Sequence, residues 1–600
     1  MKHSQLSVHS ENILPIIKKW LYSDKDIFIR ELVSNASDAL NKVRMLRDSG
    51  EQIEGDLEIS VTIDKSKKTI QISDTGIGMT EEEVEKYIAQ IAFSGAEEFV
   101  AKYKPKDEKD PIIGHFGLGF YSAYMVASQV EIETRSYLSD AAAVFWSCDG
   151  TSNYSIDKGS RESRGTQITL YLDEQSLEYL EEEKIREQLK RYCMFMPFPI
   201  SLNGKPLNNK APLWIKSPAD CNAKEYVEFY RQFFPYDPEP LFWIHLNVDY
   251  PFHLKGILFF PKTHRRFDSQ DTAIKLFCNR VFVSDHCKDI LPDYMMVLKG
   301  AIDSPDIPLN VSRSYLQVDP SVRQLSTHIA KKIADRLTLY FRNEKEKYID
   351  SWPEIEMFLK LGILQDEKFY ERTKELLIWK SSNGSWTTIP DYVERNPEKT
   401  IYYAASDKDS PLLQIYKEKK VEILIAEAPI DTAVIQYLEE KQSIKFQRID
   451  GAYDILLDAD REKTLLDVEG KTEAARIADF IRSALDKKEL EIEAKSLHSD
   501  TVPALLVLDE TQRRFRDYMT LTQGKSATSI HLKKTFVVNT NSKLIQMIAK
   551  LKDRYPSAAT EMAKGVYDLS LLSQREVHTG ELDQVIAQQT KLLENLASLL

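Results

Sequence analysis

The chain has 600 residues, of which 42% are apolar, and its 93 acidic and 80 basic side chains give a formal net charge of −13. This length exceeds what one hydrophobic core organises, so several domains are expected, and the apolar content is too high for a disordered chain. The acidic balance argues against nucleic acid as the main partner, because phosphate binding needs a basic surface.

The first strongly patterned element is a helix over 23–46, SDKDIFIRELVSNASDALNKVRML. Its apolar residues recur at helical spacing, which is typical of a face buried in a core. Beside this face, Glu31, Asn35, Asp38 and Lys42 also recur at helical spacing and form a polar stripe. Most such stripes are only solvated faces. The segments that follow decide whether this stripe is a solvated face or part of a functional site.

Two alternating segments, 57–63 and 69–73, predict paired strands, and the second runs directly into Asp74-Thr-Gly-Ile-Gly78-Met79. The glycines let the backbone lie close to a flat ligand. An ionised Asp74 is a strong acceptor for an exocyclic amine such as that of adenine. An ordinary Asp-Thr-Gly turn has the same pattern, so this motif alone does not identify a site.

A second helix is predicted from Thr80 to about residue 91, followed by a long irregular segment that indicates a lid. The lid segment ends in Gly114-His-Phe116-Gly117-Leu118-Gly119-Phe120, before an apolar helical run over 121–127. Glycines that lead into a helix N-terminus present N–H groups to phosphates. The spacing fits neither a Walker A loop nor a dinucleotide fingerprint, and a glycine hinge for a mobile loop is compatible with it.

Arg164-Gly-Thr166 then opens another alternating strand, so four motifs follow one another in a fixed order. The set resembles the ATP-binding domain shared by gyrase, the ninety-kilodalton heat-shock chaperones, histidine kinases and MutL, the GHKL superfamily. The sequences of four segments are similar to the heat-shock protein 90 family in particular, and within it to the bacterial HtpG type. These segments are ELVSNASDAL, ISDTGIGM, GHFGLGFYSAYMVA and RGTQITLYL.

This resemblance implies a role for each motif residue. Glu31 would be the general base that polarises the attacking water, and Asn35 would give Mg²⁺ an oxygen ligand. Asp74 would bind the adenine amine, helped by Thr166 through water. The other residues implied in nucleotide binding are Asp38, Lys42, Gly78, Met79, Ser94, Gly95, Gly114, Phe116, Gly117, Leu118, Gly119 and Phe120. Phe93 departs from the family pattern, which commonly has a lysine there, so the charge contact of that lysine is in doubt.

A turn-rich join at 197–212 predicts a domain boundary, and alternating segments at 241–250, 253–260 and 274–283 predict strands of an α/β layer.

The segment IPLNVSR, with Gln317 four residues after Arg313, resembles the catalytic loop of the family's middle domain. This implies that Arg313 reaches the γ-phosphate, with Gln317 as helper. A surface salt bridge is the ordinary explanation for one arginine taken alone.

The last predicted helix, 582–599, has an apolar stripe that needs a partner. Its members are Leu582, Val585, Ile586, Leu592, Leu593, Leu596 and Leu599. The stripe docks either on its own domain or, as the resemblance implies, in a four-helix homodimer contact. The chain ends in ASLL and lacks the acidic tail that cytosolic eukaryotic members use to hold repeat-domain co-chaperones, so those partners are not expected. Other co-chaperones remain open.

The five cysteines are scattered, with no CxxC pair and no zinc-like grouping with histidine, which predicts reduced thiols and a cytoplasmic protein. Residues 1–30 contain no cleavable apolar core. No apolar run approaches the roughly 18 residues of a membrane span, so neither export nor a membrane partner is expected.

Taken together, the resemblance implies a multidomain α/β (α+β) protein. Residues 1–210 would form a Bergerat-type ATP-binding α/β sandwich with a lid, 211–475 an α/β middle domain that supplies the catalytic arginine and a client surface, and 476–600 a mostly helical dimerisation domain. The implied function is an ATP-dependent molecular chaperone that binds ATP and Mg²⁺, hydrolyses ATP slowly, closes as a dimer clamp and remodels unfolded or partly folded clients.

The alternative is another GHKL-type ATPase that acts on a defined substrate. A histidine kinase is disfavoured because the phosphate-accepting histidine motif is missing. A MutL-like or gyrase-like machine is disfavoured by the acidic charge and by the lack of a metal or tyrosine nuclease motif.

Overall fold

The computed structural model describes residues 24–90, 117–151, 153–208, 211–250, 252–262, 273–285, 291–307, 320–397, 400–406, 411–451, 453–461, 471–487, 489–523, 533–574, 577 and 582–597. The chain divides into two compact units, Met1–Arg336 and Leu337–Leu600. Each unit is described by itself. The three-domain division predicted from the sequence stays a prediction.

The first unit contains two sheets and the helices around them. Its strands are β1 (Ile59–Asp64), β2 (Thr69–Asp74), β3 (Ala127–Arg135), β4 (Val144–Cys148), β5 (Tyr154–Lys158), β6 (Gly165–Leu172), β7 (Ile200–Leu202), β8 (Lys205–Pro206), β9 (Phe242–Val248), β10 (Leu254–Phe260), β11 (Ala273–Cys278), β12 (Val281–Ser284) and β13 (Lys299–Asp303). Its α-helices are α1 (Ile27–Asp48), α2 (Glu81–Tyr87), α3 (Glu182–Cys193) and α4 (Ala223–Phe233). A 3-10 helix covers Gly119–Met125.

The larger sheet has eight strands in the order β5-β4-β3-β6-β2-β1-β7-β8. Neighbouring strands are antiparallel except for β1 and β7, which run parallel. Helix α1 contacts β1, β2, α3 and the 3-10 helix, and its predicted apolar face is buried in the core of this unit. This burial fixes the rotation of α1, and therefore the direction of its polar stripe.

The second sheet, β12-β11-β13-β10-β9, corrects one prediction. Residues 274–283 were expected to form one strand, but they form the antiparallel pair β11 and β12. The turn lies at Asn279 and Arg280, whose φ angles are 50° and 67°. Two consecutive positive φ values characterise the tight hairpin turn that suits twisted strands. The Arg280 N–H also donates to the buried carboxylate of Asp303, which holds the turn.

The second unit is built from alternating helices and short strands. Its strands are β14 (Ile378–Ser381), β15 (Trp386–Thr388), β16 (Thr400–Ala404), β17 (Ile423–Ile425), β18 (Lys445–Arg448), β19 (Leu490–Lys495), β20 (Ala504–Leu508) and β21 (Lys534–Asn539). The helices from the unit boundary onward are α5 (Pro320–Asn343), α6 (Lys345–Asp350), α7 (Trp352–Gln365), α8 (Glu367–Thr373), α9 (Ile389–Arg395), α10 (Pro411–Glu418), α11 (Asp431–Gln442), α12 (Glu473–Leu485), α13 (Glu510–Gln523), α14 (Lys543–Leu551), α15 (Pro556–Ser573) and α16 (Leu582–Ala597).

These strands form two sheets, β15-β14-β17-β16-β18 and β19-β21-β20. Parallel pairs occur in both, between β16 and each of its neighbours and between β19 and β21. The predicted mixed α/β multidomain class is therefore confirmed. The aromatic side chains Phe242 and Trp352 are buried in their units. Among the residues described, we find no helix that is both long and apolar enough to cross a membrane.

Candidate functional site

Glu31 is the most buried member of the polar stripe on α1, with 3% of its surface exposed. The neighbouring Arg30, 2% exposed, donates to Glu31 Oε1 from Nε at 3.0 Å and lies 2.9 Å from it through Nη2. The Arg30 guanidinium also lies over the ring of Tyr192 on α3, 5.8 Å from its centroid. One carboxylate oxygen of Glu31 is therefore held by a buried cation, which fixes the orientation of the other.

The second oxygen, Oε2, faces the glycine-rich segment. A Cβ atom placed on Gly119 would lie 2.8 Å from Glu31 Oε2, so only glycine leaves this approach undisturbed. Gly119 also begins the 3-10 helix Gly119–Met125, and Ala127 already belongs to β3. The helical run predicted over 121–127 is thus a more tightly wound 3-10 helix that begins and ends two residues earlier than expected. The chain enters a sheet strand directly after it, which leaves no room for a longer helix.

The rest of the stripe continues along α1 and alternates between half-buried and buried positions. Asn35 and Lys42 are half-buried and Asp38 is buried. Burial lowers the pKa of Lys42, and the carboxylates of Asp38 and Glu83 oppose that change. Glu83 belongs to α2 and closes a capping box with Thr80, as the sequence predicted for this helix start. The amine of Lys42 therefore lies near acidic groups from two helices.

Asp74 ends β2 and is 6% exposed. Burial raises its pKa to about 6, while the backbone amide of Gly76 and the guanidinium of Arg161 act in the opposite direction. The Gly76 N–H donates to Asp74 Oδ1 at 2.7 Å. Asp74 and Thr166, the predicted adenine-binding pair, lie directly opposite each other on the neighbouring strands β2 and β6.

A buried hydroxyl that the sequence analysis did not identify connects this pair to Met79. Thr134 Oγ1, on β3, accepts a hydrogen bond from the Met79 N–H at 3.0 Å and lies 2.9 Å from Thr166 Oγ1. The preceding residue, Gly78, has φ of +64°, and a Cβ atom there would overlap the carbonyl oxygen of Arg135 on β3. The turn after Asp74 is therefore held against β3 through backbone groups, and Gly78 is required for that contact.

Two arginines, also without an assigned role in the sequence analysis, bind the outer side of this turn. Arg161 Nη2 donates to the Asp74 carbonyl oxygen at 2.9 Å. Arg164 Nη1 donates to the Gly76 carbonyl oxygen at 3.3 Å, and its Nη2 donates to the Glu54 carbonyl oxygen at 2.9 Å. The only available signal in the sequence was the position of Arg164 directly before the Gly-Thr motif.

Helix α1 is the element common to both halves of the site. At one point Glu31 meets Gly119, and eight residues further on the Ala39 carbonyl oxygen accepts from the Ile77 N–H at 3.1 Å. Eight residues of α-helix span about 12 Å. These two contacts of α1 therefore lie about 12 Å apart along the helix axis.

Some predicted site residues lie outside the described residues. These are Phe93, Ser94, Gly95, Gly114, Phe116, Arg313 and Gln317. The other predicted members lie within the described residues: Glu31, Asn35, Asp38, Lys42, Asp74, Gly78, Met79, Gly117, Leu118, Gly119, Phe120 and Thr166. Gly117 has φ of +63°, and Phe120 is buried in the core of the first unit.

A divalent cation would find one oxygen donor on α1. The half-buried amide of Asn35 lies one helical turn from Glu31, on the same stripe. Among the described residues there is no group of three or more His, Cys, Asp and Glu side chains suited to a metal. A single amide oxygen fits Mg²⁺, which usually keeps water and phosphate oxygens as most of its ligands.

Helix α16 carries the apolar stripe predicted near the C-terminus. Val585 is buried, and a Cβ atom on Gly565 of α15 would lie 2.6 Å from Leu592, so one side of α16 packs on α15. The other side of α16 is open to solvent, with Ile586 53% and Leu593 67% exposed.

The second unit also contains a cleft of about 990 Å³ between α11 and α13. Its lining includes Tyr437, Phe446 and Phe515, and Phe515 is largely exposed. Acidic side chains from both helices border it, and Arg514 of α13 pairs with Glu439 of α11. The cleft offers aromatic surface next to charged groups.

Comparison with protein families gives two matches that together span most of the chain. The family described as "Histidine kinase-, DNA gyrase B-, and HSP90-like ATPase" matches residues 24–186, which contain the site on α1, β2, β3 and β6. The family described as "Hsp90 protein" matches residues 203–578.

Similar proteins from several bacteria carry the name "Chaperone protein HtpG". The protein of Porphyromonas gingivalis is 40% identical over 95% of this chain and 87% of its own length. That of Bacteroides thetaiotaomicron is 38% identical over 96% of this chain and 88% of its own length. That of Geobacter sulfurreducens is 32% identical over 94% of each chain.

Proposed function

The chain belongs to the Hsp90 family of ATP-dependent molecular chaperones, and from this premise we propose that it hydrolyses ATP at the site on α1 and uses the cycle to remodel client proteins. The family matches and the names of the relatives do not favour the alternative of a GHKL-type ATPase with a defined substrate. The coupling of hydrolysis to client remodelling remains our proposal.

The observation that carries the ATPase proposal is the contact between Gly119 and Glu31 Oε2. Arg30 binds Oε1, so Oε2 is the oxygen left to accept a proton from water. In the proposed step, the water oxygen attacks the γ-phosphorus, the bond from phosphorus to the ADP oxygen breaks, and Glu31 accepts the water proton. The glycine-rich segment supplies backbone N–H groups to the phosphates.

Three further residues complete the proposed reaction. Asn35 would hold Mg²⁺ through its amide oxygen, and the bound ion would offset the negative charge of the phosphates. Arg313 would stabilise the charge that develops on the γ-phosphate, with Gln317 assisting, as the family resemblance implies. Because this arginine follows the ATP-binding region by well over a hundred residues, hydrolysis would depend on closure between domains.

At the adenine end, we assign recognition to Asp74 and Thr166. Asp74 would accept a hydrogen bond from the exocyclic amine, and Thr166 would support it through water. The buried position of Asp74 and its register opposite Thr166 support this assignment. Met79, Asp38 and Lys42 would line the pocket between adenine and phosphates.

The test separates binding from turnover. Glu31→Gln should retain ATP, measured by equilibrium binding, and lose phosphate release, because the amide cannot accept the water proton. Glu85→Gln, an exposed position in the same unit, is the matched control and should behave as the unaltered protein. Unchanged hydrolysis in Glu31→Gln would remove the assignment of the general base.

Client binding and assembly are proposed on the second unit. The exposed Ile586 and Leu593 on α16 support a homodimer contact through the C-terminal helices, and the aromatic cleft between α11 and α13 supports a surface for unfolded or partly folded clients. Aggregation of a denatured reporter protein should be suppressed, and ATP should change the extent. Phe515→Asp should weaken this suppression while leaving ATP hydrolysis intact.

We also propose a cytoplasmic location. Four cysteines in the described residues, Cys148, Cys193, Cys221 and Cys278, are free thiols, as expected in a reducing compartment. Co-chaperones are further candidate partners.

A further inference from the structure

Arg161 and Arg164 contact the end of β2 and the turn after it, through the loop that leads into β6. Arg161 binds two groups of β2, the Asp74 carbonyl oxygen at 2.9 Å and Ser73 Oγ at 3.3 Å. Arg164 binds the Gly76 carbonyl oxygen and the carbonyl oxygens of residues 54 and 55. Both side chains are half-buried, so their charges are only partly screened by solvent.

The chemistry of Asp74 makes this arrangement important. Oδ1 already accepts a hydrogen bond from the Gly76 N–H. A proton bound to Oδ2 would turn that oxygen into a hydrogen-bond donor and remove the negative charge that makes the carboxylate a strong acceptor. An exocyclic amine is itself a donor, so the protonated carboxyl could not bind it in the same way. Nucleotide recognition thus needs the ionised form, although burial favours the neutral one.

We propose that Arg161 and Arg164 are positioning residues for nucleotide binding, which hold the turn after β2 and keep Asp74 ionised at neutral pH. This inference rests on the proposed function, in which Asp74 binds adenine. It adds the two arginines, which bind backbone and hydroxyl groups of the turn and of neighbouring segments and act on the ligand through Asp74.

The surrounding charges are consistent with Asp74 as the group that binds adenine and with the two arginines as the groups that keep it ionised. Burial is the largest influence on the pKa of Asp74, and both arginines oppose it. Glu133 of β3 interacts with Arg161, and Arg47 of α1 with Arg164. On the other side of the turn, Asp38 and Lys42 of α1 interact with each other. Arg135 of β3 binds the Glu162 carbonyl oxygen in the same loop.

The experiment measures ADP affinity of the full-length protein from pH 5 to pH 9. In the unaltered protein, affinity should fall as the pH drops through about 6, where Asp74 gains its proton. Arg161→Gln and Arg164→Gln should each move this midpoint upward by about one pH unit, since an opposite charge nearby is worth about one unit or more. At pH 6 that shift lowers affinity about fivefold, and at pH 8.5 the proteins should converge.

Matched variants separate charge from geometry. Arg161→Lys keeps the charge and should restore the midpoint. Arg135→Gln loosens the same loop through its bond to residue 162 and should leave the midpoint unchanged. A uniform loss of affinity across the whole pH range in the glutamine variants, with no shift, would overturn the inference, because it would mean that the arginines only maintain the fold.

Two further outcomes are decisive. If neither glutamine variant folds, the unaltered protein is titrated at low and high salt. Screening of the half-exposed guanidinium groups should then raise the midpoint, and a midpoint that does not change with salt would contradict the inference. If the unaltered protein fails to bind ADP at any pH, the proposed function itself is wrong, which is a different result from a bound nucleotide whose midpoint does not move.

Discussion

Gly119 and Glu31 approach each other so closely that a Cβ atom on the glycine would lie 2.8 Å from the Oε2 of the acid. The two residues are 88 positions apart in the sequence and come from different motifs. Their contact brings the glycine-rich segment to the acid that we assign as the general base.

The first prediction concerns this contact. Gly119→Ala should displace the Glu31 carboxylate and reduce ATP hydrolysis by about tenfold to a hundredfold, as small misplacements of catalytic groups do. ATP binding should be retained. In a Glu31→Ala background the added methyl group meets no carboxylate, so it should cause no further loss of hydrolysis and little change in stability. Equal effects in both backgrounds would argue against the contact.

The second prediction concerns the buried pair of Arg30 and Glu31. Arg30→Met should lower the free energy of unfolding by about 3–5 kcal/mol, because it leaves a buried carboxylate without its cation. The free energy is measured for the unfolding transition that added ADP stabilises, because that transition reports on the unit that contains Arg30. Lys65→Met is the control, since it breaks a pair with Glu181 whose side chains are 60% and 70% exposed and should cost less than about 1 kcal/mol. Similar costs for both variants would contradict the expectation.

The third prediction tests the hydroxyl of Thr134. Thr134→Val removes the acceptor of the Met79 N–H and the partner of Thr166, so we expect a loss of about 1–3 kcal/mol in stability and weaker ATP binding. Thermal unfolding and ADP titration measure the two effects. Thr62→Val on β1 is a matched control, because its hydroxyl is exposed and has one long hydrogen bond, to Gln71. An unchanged ADP affinity in Thr134→Val would separate Thr134 from the site.

The fourth prediction follows from the raised pKa of Asp74. Its pKa increases from 3.8 to about 6 on folding, so the folded state binds the proton more tightly than the unfolded state. Between pH 4 and pH 6 the unfolded state loses this proton first, and stability contributed by Asp74 falls as pH rises. The full penalty, about 3 kcal/mol, is present above pH 6.

Asp74→Asn should therefore abolish ATP binding and yet stabilise the fold at pH 8, by about 1–3 kcal/mol. The gain is smaller than the full penalty because Arg161 and Arg164 lose a nearby charge. The comparison at pH 4 provides the control, since both proteins carry a neutral side chain there and the difference should largely vanish. A variant that is less stable than the unaltered protein at pH 8 would show that the ionised carboxylate stabilises the fold.

The fifth prediction concerns assembly. Leu593→Glu should shift the protein from dimer to monomer in analytical ultracentrifugation, because it places charge on the open side of α16. Lys591 is an exposed residue on the same helix. Lys591→Glu also introduces a negative charge but removes no large apolar side chain, so it should leave the dimer intact. A dimer that survives Leu593→Glu and Ile586→Glu together would place the contact elsewhere.

The sequence predicted those features that depend on local periodicity. Three features follow from spacing within a few residues. They are the burial of one face of α1, the pairing of β1 with β2, and the position of Asp74 at the end of a strand. The capping box at Thr80 also follows from local chemistry.

Other features depend on contacts between distant segments, which periodicity does not report. Arg161 meets the Asp74 carbonyl across 87 residues, and Thr134 reaches Met79 across 55. The hairpin at Asn279 and Arg280 was missed because the sequence has no glycine at that turn, although asparagine tolerates a positive φ angle. Arg30 was not assigned a role because a charged residue is usually solvated, and its burial against Tyr192 of α3 appears only in the folded chain.

Gly78 has a consequence for inhibitors of this protein. Its position is enclosed by the main-chain oxygen of Arg135, so every replacement side chain would collide with backbone rather than with a movable group. An inhibitor that gains its affinity from the main chain at this turn would leave the target few routes to resistance, because substitutions that block the drug there would also disrupt the turn to which we assign nucleotide binding.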